Sequence, residues 1–286
     1  MTNLSSELIG GLFETNAIRV CPENKPFFYT SGKIGPYYIN THFLYGSQKK
    51  AESLLKAIDE EKADKLDCSA VFHRMTLENY RQDPIYRKTI DTLVETIRGI
   101  PGAEEAEYIS GGERRDWFFS FLVADFLGKP HITLFKDMDA VVYKEGASQK
   151  IEVLKGASVL HIADLITTAS SYERAWVPAI KSLGGNMIHS LVVVDRLQGG
   201  EEVLKKLDVK SHALVAISAE TFEKAFKEGF VTKPQLDMVL NYMNEPEASM
   251  KSFLEGHPEF LEETLKGGGK DADRARLLLD SHFYGL

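Results

Sequence analysis

Val159-Leu160-His161-Ile162-Ala163-Asp164-Leu165-Ile166-Thr167-Thr168-Ala169-Ser170-Ser171 reads as an apolar strand that runs into an aspartate, then a small hydroxyl-rich loop, then the start of a helix. Backbone N–H groups in such a loop and in the first turn of a helix have no intrahelical partners. With the hydroxyls of Thr167, Thr168, Ser170 and Ser171 they can enclose a phosphate dianion. Asp164, at the strand end, can accept hydrogen bonds from vicinal ribose hydroxyls. The same residues, taken alone, also describe a Ser/Thr helix cap with no ligand.

Around this stretch the pattern alternates. Strands are expected over 108–110, 131–135, 158–162, 187–194 and 213–217, with helices over 117–127 and 170–183. Strands separated by helices of that length need crossover connections, which predicts an α/β fold with a mainly parallel central sheet flanked by helices and ligands at the strand C-terminal ends. Upstream, 5–15 reads as an amphipathic helix and 27–40 as two short strands across a turn. The charged stretch 47–106 reads as helices broken at Asp83-Pro84 and Pro101-Gly102. Beyond Val231 only helices are expected, punctuated by Pro234, Pro246, Pro258 and Gly267-Gly268-Gly269. The expected division is 1–46 as N-terminal helix and hood, 47–106 as helical insertion, 107–232 as core and 233–286 as helical C-terminal extension.

Over 286 residues, 43% hydrophobic and 27% charged, no apolar run is long enough to span a bilayer, and no secretory signal opens the chain. With two cysteines and no disulfide or zinc spacing, the expectation is a cytoplasmic protein with no membrane partner. A net charge of -8 argues against nucleic acid as a partner, since that binding rests on Lys and Arg neutralising phosphates. None of the eight histidines forms a ligand pair of HxxxH type.

The stretch at 159–171 resembles the 5-phosphoribosyl 1-pyrophosphate (PRPP) motif of type I phosphoribosyltransferases, with two departures: Ala163 stands for the first of an acidic pair, and Ala169 for a loop glycine. Three further segments narrow the resemblance to orotate phosphoribosyltransferase. Phe28-Tyr29-Thr30-Ser31-Gly32-Lys33-Ile34-Gly35-Pro36-Tyr37-Tyr38-Ile39-Asn40 is similar to that family's hood, which implies Ser31, Lys33, Tyr37 and Tyr38 as contacts to a planar base. Val192-Val193-Val194-Asp195-Arg196-Leu197-Gln198-Gly199-Gly200 implies Arg196 as the orotate-binding guanidinium. Ile109-Ser110-Gly111-Gly112-Glu113-Arg114-Arg115-Asp116-Trp117 resembles the pyrophosphate loop, with Arg114 and Arg115 as PRPP contacts and Asp116 in place of a glycine, where its carboxylate would repel an anion.

The resemblance implies transfer of a phosphoribosyl group from PRPP to a base, orotate first, with Mg2+ as cofactor, Asp164 as carboxylate and metal ligand, and a homodimer as the working form. It also implies a mobile catalytic loop over 134–144, in which Lys136 matches while Asp139 and Val141 stand where a further Lys and a His are expected, unless Lys144 or Lys150 takes over after a shift. A phosphoribosyltransferase for another base, or a non-catalytic PRPP- or nucleotide-binding regulator, are the alternatives these departures leave open.

Overall fold

A computed structural model describes residues 3–285. The chain forms two compact units: one takes residues up to 17 with 41–218, the other residues 18–40 with those from 219 on.

The first unit is built on a seven-stranded sheet. Its strands are β1 (Tyr108–Gly112), β2 (His131–Leu134), β3 (Ala140–Lys144), β4 (Ala147–Lys150), β5 (Ser158–Ile166), β6 (Asn186–Asp195) and β7 (Lys210–Ala216), in the order β7-β6-β5-β1-β2-β3-β4. The five strands from β7 to β2 are parallel; β3 and β4 are antiparallel to their neighbours. β2 and most of β5 and β6 are buried, which is why they read as nearly continuous apolar runs. The register pairs Ala163 with Val192 and Ile166 with Asp195, so β5 and β6 deliver their last residues to the same edge of the sheet. Among the described residues no helix is long and apolar enough to cross a membrane.

The largest departure from expectation lies in 134–144. The segment is not an open loop: after a turn at 136–139 the chain returns as β3, pairing Leu134 with Ala140 and His131 with Tyr143. Val141 and Tyr143 are buried while their neighbours are more open, the alternation of a half-buried strand. Glu145 and Gly146 both have positive φ, 51° and 87°, the requirement of a two-residue hairpin turn that carries the chain into β4.

Helices cover the sheet. α1 (Asn3–Glu14) packs on α4, and the stretch after residue 47 forms α2 (Gln48–Glu61), α3 (Cys68–Gln82) and α4 (Pro84–Gly99), followed past β1 by α5 (Trp117–Phe126). The break at Asp83-Pro84 has a clear cause. Proline opens α4, where its missing N–H costs nothing, and Asp83 Oδ1 accepts from the N–H groups of Ile85 (3.1 Å) and Tyr86 (3.0 Å). The helix expected over 170–183 contains a π-helical turn at Tyr172–Trp176 before a regular stretch, Val177–Ser182.

In the second unit, Phe27–Phe28 pairs with Ile34–Gly35, and Tyr37–Ile39 pairs with Ile18–Val20, both antiparallel. Its core joins Phe28 and Ile34 to Met250, Leu254, Ala275 and Leu278 of the C-terminal helices. Gly32, at φ 86°, has Leu277 and Leu278 about where a side chain would point: a Cβ there would lie 3.0 Å from Leu277 Cγ.

Candidate active site

Thr167 to Ser171 link the end of β5 to the π-helical turn. Among the described residues, the N–H groups of Thr168 to Ser171 donate to no carbonyl, and the four hydroxyls of Thr167, Thr168, Ser170 and Ser171 make no hydrogen bond within the protein. Ala169, where the resemblance expects glycine, has φ 56°. The loop therefore needs the left-handed conformation at this position, and alanine adopts it at a cost of roughly 1 kcal/mol relative to glycine. The loop borders a cleft of about 270 Å³ whose wall also includes Asp164, Glu113, Arg115, Asp116, Lys136 and Trp176.

Asp164 is 8% exposed. Burial first, then the neighbouring carboxylate of Asp116, push its pKa well above the usual carboxylate range, against the pull of Arg115. Asp116 is also buried, and it does not stand in the loop as a free anion. Its Oδ2 accepts the N–H of Gly112 (3.0 Å) and its Oδ1 the N–H of Asp164 (3.1 Å), so the carboxylate also braces β1 against β5. His161 is fully buried beneath this pair, with Nδ1 2.9 Å from Ser110 Oγ and Nε2 3.4 Å from Asp116 Oδ2. Gly112 has no alternative: a Cβ there would lie 2.3 Å from Trp176 Cε2, inside the ring that closes this side of the cleft. Trp176 carries no signal in the sequence beyond being a large apolar residue on a helix.

The Glu113–Arg114 peptide is cis, and the two arginines of the segment part company there. Arg114 is tied to Asp59 of α2. Arg115 is exposed and has no ion pair among the described residues; neither has Lys136, which sits across the same cleft on the turn after β2. Lys136 is held by its backbone, whose N–H donates to Glu113 Oε2 at 3.1 Å. Glu113 went unread in the sequence. Asp139, in the place of an expected cation, pairs with Lys65, and Val141 is buried in β3.

Arg196 follows β6, with its N–H donating to Ile166 at 3.0 Å, which places it beside the start of the phosphate loop. Its Nε is buried and has no hydrogen-bond partner among the described residues. The neighbouring Asp195 carboxylate accepts from Leu197 N–H (2.7 Å) and is raised in pKa chiefly by burial.

The expected base contacts lie in the second unit. Tyr37 is 6% exposed and packs its ring on Phe222 and Tyr242 at 5.1 and 5.9 Å between centroids. Tyr38 donates its hydroxyl to the Phe28 carbonyl (2.6 Å), Lys33 pairs with Glu247 (2.8 Å), and Ser31 is exposed, its Oγ receiving the N–H of Lys33.

No cluster of three or more potential metal-ligating side chains exists among the described residues. Ala163 removes one carboxylate, and both oxygens of Asp116 already accept N–H bonds, so Asp164 is the one carboxylate of the β5 strand end left for a cation. That donor set fits an ion whose other ligands come from the substrate, as Mg2+ commonly takes one or two carboxylates plus phosphate oxygens.

No family model matches the chain. The orotate phosphoribosyltransferase of Saccharolobus solfataricus is 32% identical over 218 residues, spanning 76% of this chain and 88% of the relative. Among solved structures, the orotate phosphoribosyltransferase of Francisella tularensis superposes with a TM-score of 0.52 at 12% identity, over 84% of this chain and 98% of that one. The UMP synthase of Leishmania donovani gives 0.51 at 19% identity over 84% of this chain, which spans only 42% of that longer protein. A mainly parallel sheet, a hydroxyl-rich loop at the end of β5 beside a cleft, and a relative of this identity and extent lead to one assignment: the chain belongs to the orotate phosphoribosyltransferase family of type I phosphoribosyltransferases.

Proposed function

We propose that this phosphoribosyltransferase joins orotate to the ribosyl group of PRPP, forming orotidine 5'-monophosphate and releasing pyrophosphate. The observation that carries the reading is the cleft itself: among the described residues, the N–H groups of Thr168–Ser171 and the hydroxyls of Thr167–Ser171 are free on one side, and the cations Arg115 and Lys136 have no ion pair on the other. Such a pair of anion sites suits a molecule with phosphate at one end of a ribose and pyrophosphate at the other. A ring nitrogen of the base forms the new bond to C1 of the ribose as the bond to the pyrophosphate oxygen breaks.

In that reaction the loop holds the 5'-phosphate, Asp164 receives the ribose hydroxyls, and Arg115 and Lys136 take up charge on the departing pyrophosphate. Fixed donors are worth most where charge develops in the transition state. Mg2+, held by Asp164 and by oxygens of the substrate, would neutralise the leaving group further. For the base, the buried and unpartnered Nε of Arg196 favours an acceptor with a carboxylate, which a planar guanidinium can bind through paired hydrogen bonds. The curated relative bears the orotate name, which supports the same choice. A homodimer belongs to the proposal, and light scattering tests it.

The deciding assay couples pyrophosphate release to PRPP, Mg2+ and either orotate or uracil, beside Asp164→Asn. Release that needs orotate and drops at least a hundredfold in the variant supports the reading. PRPP binding by calorimetry without release on either base would replace it with a ligand-binding role.

A further inference from the structure

Lys62 is the residue on which α2 ends, its N–H still donating to Ile58. Its Nζ lies 2.8 Å from Oε1 of Glu113, a carboxylate whose side chain is only 7% exposed. The other oxygen of that carboxylate, Oε2, accepts the N–H of Lys136. One buried carboxylate is thus shared between the end of α2 and the residue that offers a cation to the cleft. Next to it, Arg114 reaches Asp59, which Lys62 also approaches at 3.1 Å. Three residues further on, Lys65 Nζ lies 2.5 Å from Asp137 Oδ2 and 2.6 Å from Asp139 Oδ2, 5.2 Å above the Phe135 ring. The end of α2 and the turn that follows it therefore hold both rims of the cleft: Asp59 and Lys62 the residues just before Arg115, and Lys65 the residues on either side of Lys136.

We propose that Lys62 is a positioning residue for pyrophosphate recognition, acting through Glu113, and that α2 in this way fixes a cleft edge formed by the turn between β2 and β3. The proposal rests on reading this cleft as a PRPP site. Two physical effects follow from the geometry. Lys62 neutralises a carboxylate that borders an anion site, and it holds that carboxylate where it can receive the Lys136 N–H. Without the ammonium, Glu113 becomes an unpaired, largely buried charge facing the ligand.

The test is titration calorimetry with inorganic pyrophosphate and with PRPP, in Mg2+, on the full chain, together with steady-state kinetics. Lys62→Met is expected to weaken pyrophosphate binding and raise KM for PRPP by about ten- to a hundredfold, the scale of a misplaced binding group. KM for orotate should change less than twofold, and Lys62→Arg should keep wild-type behaviour. Combining Lys62→Met with Glu113→Gln should recover part of the loss, because the uncompensated charge is gone; a general loss of structure would not be rescued. If Lys62→Met binds pyrophosphate within twofold of wild type while Arg115→Ala loses it, the positioning role is overturned and the PRPP reading stands. If Arg115→Ala also binds like wild type, the reading of the cleft fails and the proposal with it.

Discussion

The carboxylate of Asp116 accepts the backbone N–H of Asp164 at 3.1 Å, and after burial its charge is the next cause that raises the pKa of the Asp164 carboxyl. Position 116 is thus both a brace between β1 and β5 and an influence on the ionisation of Asp164, the residue that the proposed function sets against the ribose. The two roles separate by substitution. Asp116→Asn keeps an oxygen for one N–H and removes the charge, so Asp164 should ionise at lower pH and the acid limb of kcat/KM for PRPP should move the same way. Asp116→Gly leaves the Gly112 and Asp164 N–H groups without their acceptor and should lower stability by about 1–3 kcal/mol in urea titrations. An acid limb that does not move in Asp116→Asn would show that this carboxylate does not set the ionisation of Asp164.

Stability should also report the state of Asp164 directly. Its pKa is pushed up to about 8 in the folded protein, chiefly by burial, whereas an aspartate in an unfolded chain titrates near about 4. Between those values the folded state binds more protons than the unfolded one, so stability must fall as pH rises through that window and level off above it. Asp164→Asn cannot ionise. Urea midpoints of the variant, relative to wild type with no ligand or metal added, should therefore rise steadily from pH 5 to 8. A constant difference would mean that Asp164 is already ionised in the folded protein.

The strand-loop-helix at 159–171 is legible in the sequence because its message is local: strand, acid, hydroxyls and helix start follow one another within thirteen positions. The break at Asp83-Pro84 is legible for the same reason, since a cap and an N-terminal proline act on adjacent residues. What is not legible depends on partners far along the chain. Arg114 and Arg115 look alike in sequence, and only Asp59 of α2 decides that one is tied and the other open. Asp116 reads as a misplaced charge until the pairing of β1 and β5 brings the Asp164 N–H to it. Tyr37 reads as a base contact, while Phe222 and Tyr242, about two hundred positions later, surround its ring. The β3–β4 hairpin has a local signal, alternating Val141 and Tyr143 before Glu145-Gly146, at the place where the resemblance implies a mobile loop.

Ala169 offers a test of the loop's backbone. At φ 56° an alanine is strained and a β-branched residue would be more so. Ala169→Gly should leave pyrophosphate release intact and change stability by less than about 1 kcal/mol, because relief of the left-handed strain is offset by the freer unfolded chain. Ala169→Val, in a position packed within the core of the first unit, should lose about 2 kcal/mol or more and weaken PRPP binding as the loop shifts. Equal stability of the glycine and valine variants would show that the loop tolerates other conformations at this residue.

The proposed function assigns carboxylate recognition to Arg196. Its backbone N–H is fixed to Ile166, and its Nε is buried with no hydrogen-bond partner among the described residues, so the side chain has an unmet hydrogen-bonding capacity. Hydrogen bonds to a charged group contribute about 1.5–3 kcal/mol, so Arg196→Ala should reduce kcat/KM for orotate by roughly ten- to a hundredfold. Uracil has the same ring without the carboxylate, and its much slower reaction should be little affected; the preference for orotate therefore collapses. Arg196→Lys should fall between, because an ammonium restores the charge but not the planar pair of donors. Steady-state competition between the two bases reads this out in one experiment. A preference for orotate that survives Arg196→Ala would place carboxylate recognition on another residue and leave the buried Nε to a structural role.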